Sequence, residues 1–277
     1  MNVKELTLNG VNKLNEFNID DSTSKVRILL SSLLNVSKEK LLIMDEEVDE
    51  RLVEIFNDNL DKLIKGIPVQ YIVNKQSFYG MDFYVDSRVL IPQPDTECLV
   101  EEGLEFVKGK ENIKVLDLCT GSGAIAIAIA KNSDAIVYAS DVSDDALDVA
   151  KLNSNKLNAD VHFIKSNLFE NINEKFDMII SNPPYIKTDV IDTLSNEVKN
   201  EPRLALDGKE DGLYFYKEII KNAKGFLNPN GRLLFEIGFD QKESVTKLFE
   251  EAEYINVYSK KDLAGLDRIV SGEKKGE

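Results

Sequence analysis

Tryptophan is absent from this 277-residue chain, histidine occurs once, at His162, and cysteine twice, at Cys98 and Cys119. Two cysteines cannot build a disulfide framework, and neither stands in a metal-binding spacing. One histidine leaves no material for a histidine-based triad or metal centre, so no metal is expected. Long apolar runs are missing too: none approaches the roughly 20 residues a membrane span requires. The first ten residues carry no cationic patch ahead of an apolar core, so no secretion signal is read there. Basic residues cluster only as pairs, Lys260–Lys261 and Lys274–Lys275. With 49 acidic residues against 34 basic ones the formal net charge is −15. Such a surface repels nucleic-acid phosphates, keeps the chain soluble and admits a basic protein partner. A cytoplasmic protein with no membrane partner is expected.

What is present is ordinary globular material: 43% hydrophobic and 30% charged residues, enough for a packed core. Residues 1–70 read as helical. Val26, Leu29, Leu30, Leu33 and Leu34 recur at helical spacing, as do Val48, Leu52, Ile55, Phe56, Leu60 and Leu63. Asp45 is a candidate cap for the second helix, and Gly66 and Pro68 stop it. Residues 71–94 read as a linking hairpin, with Phe78–Val85 as its strands and Gly80 near its turn. From residue 95 to 277 strands and helices alternate. Strands are expected at 114–118, 136–140, 161–165, 178–181, 232–237, 255–258 and 268–271. Helices are expected at 96–108, 124–131, 144–157, 213–227 and 241–250. That alternation argues for an α/β fold with a mostly parallel sheet covered on both faces. Residues 124–130 alternate Ala and Ile, a strand-like period. The segment is nevertheless read as helix because it follows a Gly-rich turn that itself follows a strand. Pro229-Asn230-Gly231 reads as a turn before a late strand. Disorder is expected only in the polar tail from Gly272.

The first chemical motif is Asp117-Leu118-Cys119-Thr120-Gly121-Ser122-Gly123, where an apolar strand runs into a glycine loop. Glycine lets a ligand approach the backbone, and open α/β sheets bind ligands at the carboxyl ends of their strands. Asp117 suits a ligand carrying an ammonium group. Asp141 ends the next expected strand, where an acid can accept hydrogen bonds from both ribose hydroxyls; it could equally cap the following helix. Asn167 could offer its amide to an adenine edge, with Leu168 or Phe169 covering the ring. The dinucleotide fingerprint lacks its third glycine, having Ala126 there, a residue that position tolerates, so spacing alone leaves a nicotinamide cofactor open.

The second motif is Asn182-Pro183-Pro184-Tyr185, closing the strand at 178–181. The two prolines remove two backbone donors and stiffen the turn. The Pro183 carbonyl and the Asn182 side-chain carbonyl remain as acceptors. A planar –NH2 has two donors, so an acceptor-only pocket holds it and rejects hydroxyls and carboxylates. Tyr185 could stack on the planar group. A nicotinamide-dependent oxidoreductase or a non-catalytic binding module would leave this turn unexplained. An adenine or guanine amino group has the same donor geometry, but the acidity and the missing basic stripe count against a nucleic-acid substrate.

Taken together, the segments P-V-Q-Y-I at 68–72, F-Y-G-M-D-F at 78–83, I-P-Q-P-D-T-E at 91–97, D-L-C-T-G-S-G-A-I at 117–125, N-P-P-Y-I at 182–186, E-P-R-L-A-L-D-G at 201–208, E-I-G at 236–238 and D-L-A-G-L-D-R at 262–268 resemble the bacterial protein-(glutamine-N5) methyltransferases that modify peptide chain release factors. The resemblance covers nearly the whole chain from Pro68 and, more loosely, the helical start. It implies a class I, Rossmann-like methyltransferase domain that uses S-adenosylmethionine, behind an N-terminal helical domain that docks the substrate. The substrate it implies is the glutamine of the Gly-Gly-Gln motif of release factors. By the same resemblance Cys119, Thr120, Gly121, Ser122 and Gly123 contact the cofactor and Asp141 holds its ribose. Asn167 and Leu168 sit by the adenine. Asn182, Pro183, Pro184 and Tyr185 bind the glutamine amide, with Asn182 also bordering the cofactor. The family usually has Arg where this chain has Gln93, and often Gly where it has Cys119. Asp95-Thr96-Glu97 is read as a helix cap. Glu201-Pro202-Arg203 is read either as part of the substrate mouth or as a structural ion pair.

Overall fold

A computed structural model describes residues 1–276. The chain divides into two compact units, residues 1–75 with 194–200 and residues 76–193 with 201–277. The smaller unit holds α1 (Val3–Glu16), α2 (Ser22–Leu33), α3 (Lys38–Ile43), α4 (Glu50–Ile64) and α5 (Val69–Val73). Leu6, Leu14, Val26, Leu30, Phe56, Leu60 and Leu63 meet in its core, the apolar stripes that helical spacing draws. α4 starts later than the apolar pattern suggested. Its cap is Asp49, which accepts from the Arg51 amide at 2.9 Å, and Asp45 lies outside the helix. Gly66, at φ +83°, ends it as expected.

In the larger unit β1 (Gln76–Phe78) and β2 (Met81–Phe83) form an antiparallel hairpin. Tyr79 and Gly80 both have positive φ, as a two-residue hairpin loop requires. The hairpin is no free-standing connector. Phe78 and Phe83 are fully buried in the same core as the sheet, and Tyr84 is strapped to the glycine loop through Asn153. That amide accepts from the Tyr84 N–H at 2.7 Å and donates to the Tyr84 and Ser122 carbonyls, each at 3.0 Å.

The alternation then runs α6 (Glu97–Val107), β3 (Lys114–Leu118), α7 (Ala124–Asn132), β4 (Ile136–Asp141), α8 (Asp144–Leu157), β5 (Val161–Lys165) and β6 (Phe176–Ser181). Three short helices follow, α9 (Thr188–Ile191), α10 (Asn196–Lys199) and α11 (Arg203–Leu206), with α10 belonging to the smaller unit. The chain closes with α12 (Tyr214–Ala223), β7 (Leu227–Glu236), α13 (Lys242–Glu251), β8 (Ile255–Lys261) and β9 (Asp267–Glu273). The seven strands order as β5-β4-β3-β6-β7-β9-β8. All neighbours are parallel except those of β9, which runs against β7 and β8. Strand order reverses between β3 and β6, the switch point at which such sheets open a crevice at their carboxyl ends.

α7 is helical despite its Ala/Ile alternation. Ala124 through Ile129 are all buried, so no polar stripe exists to mark a period of 3.6. The Pro229–Gly231 turn lies inside β7, where pairing with β6 jumps from Phe176↔Leu227 to Met178↔Arg232, the mark of an irregular bulge. α12 correspondingly ends at Ala223 rather than Leu227. The polar end is ordered further than expected. β9 continues to Glu273, and the Lys274 ammonium donates to the carbonyls of Lys224 and Leu227, each at 2.8 Å.

Candidate functional site

The crevice holds a cavity of about 310 Å³, in the range of small-molecule sites. From the motifs it is lined by Cys119, Thr120, Gly121, Ser122, Asp141, Asn167, Leu168, Asn182 and Pro184. The carboxyl ends of β3, β4, β5 and β6 bring them together, and the Ser181 hydroxyl ties two of those ends by donating to the Leu118 carbonyl at 2.5 Å.

The loop after β3 turns on three residues with positive φ: Cys119, Gly121 and Gly123. Their glycines do different work. A Cβ on Gly121 would meet no atom within 4 Å, whereas one on Gly123 would stand 3.1 Å from the Ala150 Cβ and the Ile127 Cδ1. Gly121 is open to a ligand; Gly123 lets the loop pack on α7 and α8. Asp141 fastens the loop, Oδ2 accepting from the Gly121 N–H and Oδ1 from the Ser143 N–H, each at 2.9 Å. The cap of α8 is therefore Ser143, which accepts from the Ala146 amide. Burial raises the Asp141 pKa, and those backbone donors oppose the rise.

Asp117 stands beneath the cavity wall rather than on it. It is fully buried, and Oδ2 accepts from the Thr120 hydroxyl at 2.5 Å and the Ala126 N–H at 3.1 Å. Oδ1 has no partner among the described residues. Burial pushes its pKa up to about 7, against the pull of those two donors. A buried acceptor left unpaired is destabilising, and a cation beside it would remove that penalty. Burial, followed by the charges of Asp141 and Asp117, also raises the Cys119 thiol, so no thiolate nucleophile is available there.

The structure separates the two residues expected to cover an adenine ring. Leu168 lines the cavity, while Phe169 stacks on Phe226 with centroids 4.6 Å apart. Asn167 is exposed on the rim, its amide donating to Glu170 at 2.8 Å. In the second motif Asn182 and Pro184 face the cavity, but Pro183 and Tyr185 are not on its wall. The Tyr185 ring packs on the core beside β7, and Glu236 reaches its hydroxyl. Tyr185, expected to stack on a planar group, thus packs on the core and does not line the cavity.

The sequence reading missed the cluster that orients Asn182. Its amide NH2 donates to the Thr96 hydroxyl at 3.4 Å, and Thr96 itself lines the cavity. Beneath them lies Glu236, 2% exposed, with Oε2 unpaired. Burial drives its pKa up to about 7; Thr96, the Arg268 charge and Asn182 hold it down, and Asp95 pushes it up. Two acceptors under the NH2 end leave the Asn182 carbonyl as the end free for a ligand. Arg268 closes the cluster, bonded to Asp262 at 3.0 Å and paired with Asp95 at 3.2 Å. Asp95-Thr96-Glu97 is thus no simple cap. Asp95 pairs with Arg268, Thr96 serves Asn182, and the Glu97 carboxylate accepts from the Tyr79 N–H at 2.8 Å. Glu201 is structural, its carboxylate accepting from the Ile91 N–H at 2.8 Å. Arg203 pairs with Asp192 at 3.6 Å and Asp207 at 4.0 Å, while Pro202, Leu204 and Ala205 line the cavity. Gln93 and Arg88 also reach the wall, the latter held by Asp86 at 2.6 Å.

The fold and this crevice define a Rossmann-like methyltransferase. Residues 96–261 match the family model for the methyltransferase small domain, and residues 5–73 match that for the PrmC N-terminal domain. A methyltransferase from Pyrococcus furiosus shares the fold, with a TM-score of 0.56 at 18% identity over 79% of this chain and 99% of that one. Over their full lengths this chain and the release factor glutamine methyltransferase of Clostridium acetobutylicum are 39% identical. The enzyme of that name from Bacillus cereus is 38% identical over 89% of this chain and 90% of its own. The chain belongs to the release factor glutamine methyltransferase family. Among the described residues no helix is long and apolar enough to cross a membrane.

Proposed function

We propose that the protein transfers a methyl group from S-adenosylmethionine to the side-chain amide nitrogen of the glutamine in the Gly-Gly-Gln motif of peptide chain release factors. The observation that carries this reading is the attitude of Asn182. Its amino end is turned to Thr96 and Glu236, so its carbonyl is the end left for a substrate –NH2. The unpaired Asp117 oxygen, the open face of Gly121 and the Asp141 carboxylate suit the ammonium, backbone-contacting and ribose parts of the cofactor. The bound cofactor supplies an activated methyl on a sulfonium.

The chain's own residues contribute orientation and electrostatics. An amide nitrogen is a poor nucleophile because its lone pair is delocalised. Acceptance of both its hydrogens, by the Asn182 carbonyl and the Pro183 carbonyl, aims the nitrogen and stabilises the positive charge it gains. When ionised, Glu236 behind Asn182 polarises that amide in the same sense. The cavity wall offers no histidine and no ionised cysteine, and the reaction as read needs no general base ahead of transfer. Residues 1–70 dock the protein substrate in this reading.

Asn182→Ala should reduce methylation of release factor by at least about 100-fold, while the affinity for S-adenosylhomocysteine stays within twofold. Equal loss of both would remove Asn182 from the substrate role. Release factor, tRNA, ribosomal RNA and DNA offered in parallel with tritiated donor test the substrate class. Deletion of the residues before Pro68 should depress activity on intact release factor more than on a short glutamine peptide; equal depression would remove the docking role.

A further inference from the structure

The turn after β6 is held by a residue far along the chain. Its two prolines have no N–H, so it cannot brace itself through its own amides. The Tyr185 carbonyl instead accepts from the Gln241 side-chain NH2 at 3.0 Å, and the same NH2 donates to the Gly212 carbonyl at 3.2 Å. The Gln241 side-chain oxygen accepts from the Gly238 N–H at 3.0 Å and faces the Tyr216 hydroxyl at 3.4 Å. Gln241 is 8% exposed. Two carbonyls call for its amino end and one backbone N–H for its oxygen, which fixes which way the amide faces. Glycines make the approach possible. A Cβ on Gly212 would stand 2.5 Å from the Tyr185 carbonyl oxygen, and one on Gly208 would stand 2.7 Å from the Tyr185 Cα. Immediately downstream the Ile186 N–H donates to the Leu206 carbonyl at 3.0 Å, and the Gly208 N–H donates to the Ile186 carbonyl at 2.8 Å.

We infer that Gln241 is a positioning residue for methyl transfer: by gripping the Tyr185 carbonyl it holds Asn182 and Pro183 in the attitude that receives the substrate amide. The inference rests on the reading of Asn182–Tyr185 as the amide-binding turn. Gln241 is not on the cavity wall, so it acts through the backbone it holds, at Tyr185 and at Gly212. Misplacement by about 1 Å of groups that aim a reacting atom lowers rates about 100-fold.

The test uses the full chain with release factor as substrate. Gln241→Met keeps the length of the side chain and removes all four hydrogen bonds; Gln241→Glu keeps the acceptor and removes the donors. Both should lower kcat between about ten- and 100-fold. The dissociation constant for S-adenosylhomocysteine should stay within twofold, and melting should stay cooperative. Gly212→Ala sets a Cβ against both the Tyr185 carbonyl oxygen and the Gln241 Nε2 and should reproduce the pattern, which serves if Gln241→Met does not fold. Wild-type kcat in the variants that fold, or a fall in cofactor affinity matching the fall in kcat, overturns the inference. If Asn182→Ala alone remains fully active, the reading of the turn fails first. If Asn182→Ala is inactive and Gln241→Met is not impaired, only the positioning role is lost.

Discussion

Cofactor affinity should rise with pH between 5.5 and 7 because of Asp117. Its carboxyl is fully buried, with no partner for Oδ1 among the described residues, and burial lifts its pKa to about 7 from the ordinary 3.8. A group whose folded pKa is raised favours the folded state when protonated. That contribution is complete below the unfolded pKa and is lost as pH rises through about 7. An ammonium group needs the opposite, ionised form. With a pKa of about 7 the carboxyl is about 3% ionised at pH 5.5 and about half ionised at pH 7. If only the ionised form takes the ammonium, affinity rises about 15-fold, or about 1.6 kcal/mol, across that window. The window lies below the range in which α-amino groups lose their proton, about 7.7–8.0. Isothermal titration with S-adenosylhomocysteine at pH 5.5, 6.25 and 7 measures the slope. Asp117→Asn should bind more weakly at pH 7, by about tenfold or more, and should flatten the curve. An unchanged slope in Asp117→Asn would assign the titration to Asp141, whose pKa burial also raises, and would refute the ammonium contact.

Asp141→Ala should weaken S-adenosylhomocysteine binding by about 100-fold, since it removes a charged acceptor and frees the Gly121 amide. Retained affinity in a titration would sink the ribose assignment. Glu236→Gln should change how stability depends on pH. With a folded pKa of about 7 against 4.5, ionising Glu236 destabilises the native state by up to about 3 kcal/mol as pH rises from 4.5 to 7.5. Relative to wild type, the variant should gain stability across that span in denaturant titrations; parallel curves would mean Glu236 is not forced neutral by its surroundings.

The central strands were legible because they are buried on both faces and read as short apolar runs, as in Met178–Ile180 and Val115–Leu118. α8 was legible from both ends, through the acids of its first turn and the stop at Asn158. Both ligand motifs were visible because they sit at strand ends, where the residues that meet a ligand are close in sequence. The cluster under Asn182 was not. Thr96, Glu236 and Arg268 come from three distant segments, joined only once β6, β7 and β9 lie side by side. Nothing local distinguishes Thr96 from an ordinary cap residue, or Glu236 from a surface acid at a strand end. The packing of Tyr185 on the core was not legible for the same reason: its surroundings, Glu236 among them, come from distant segments, which its own neighbours in sequence do not report. Gln241 gave no signal because its partners are mainly backbone groups, which any residue supplies.

Tyr214 stands on the rim of the crevice, 46% exposed, in a protein that contains no indole. Exchange of that ring for tryptophan would give a single indole at the mouth, excited apart from the tyrosines at the red edge of its absorption. Its intensity and wavelength would then follow filling and emptying in stopped-flow time, so the order in which the two substrates arrive becomes directly observable.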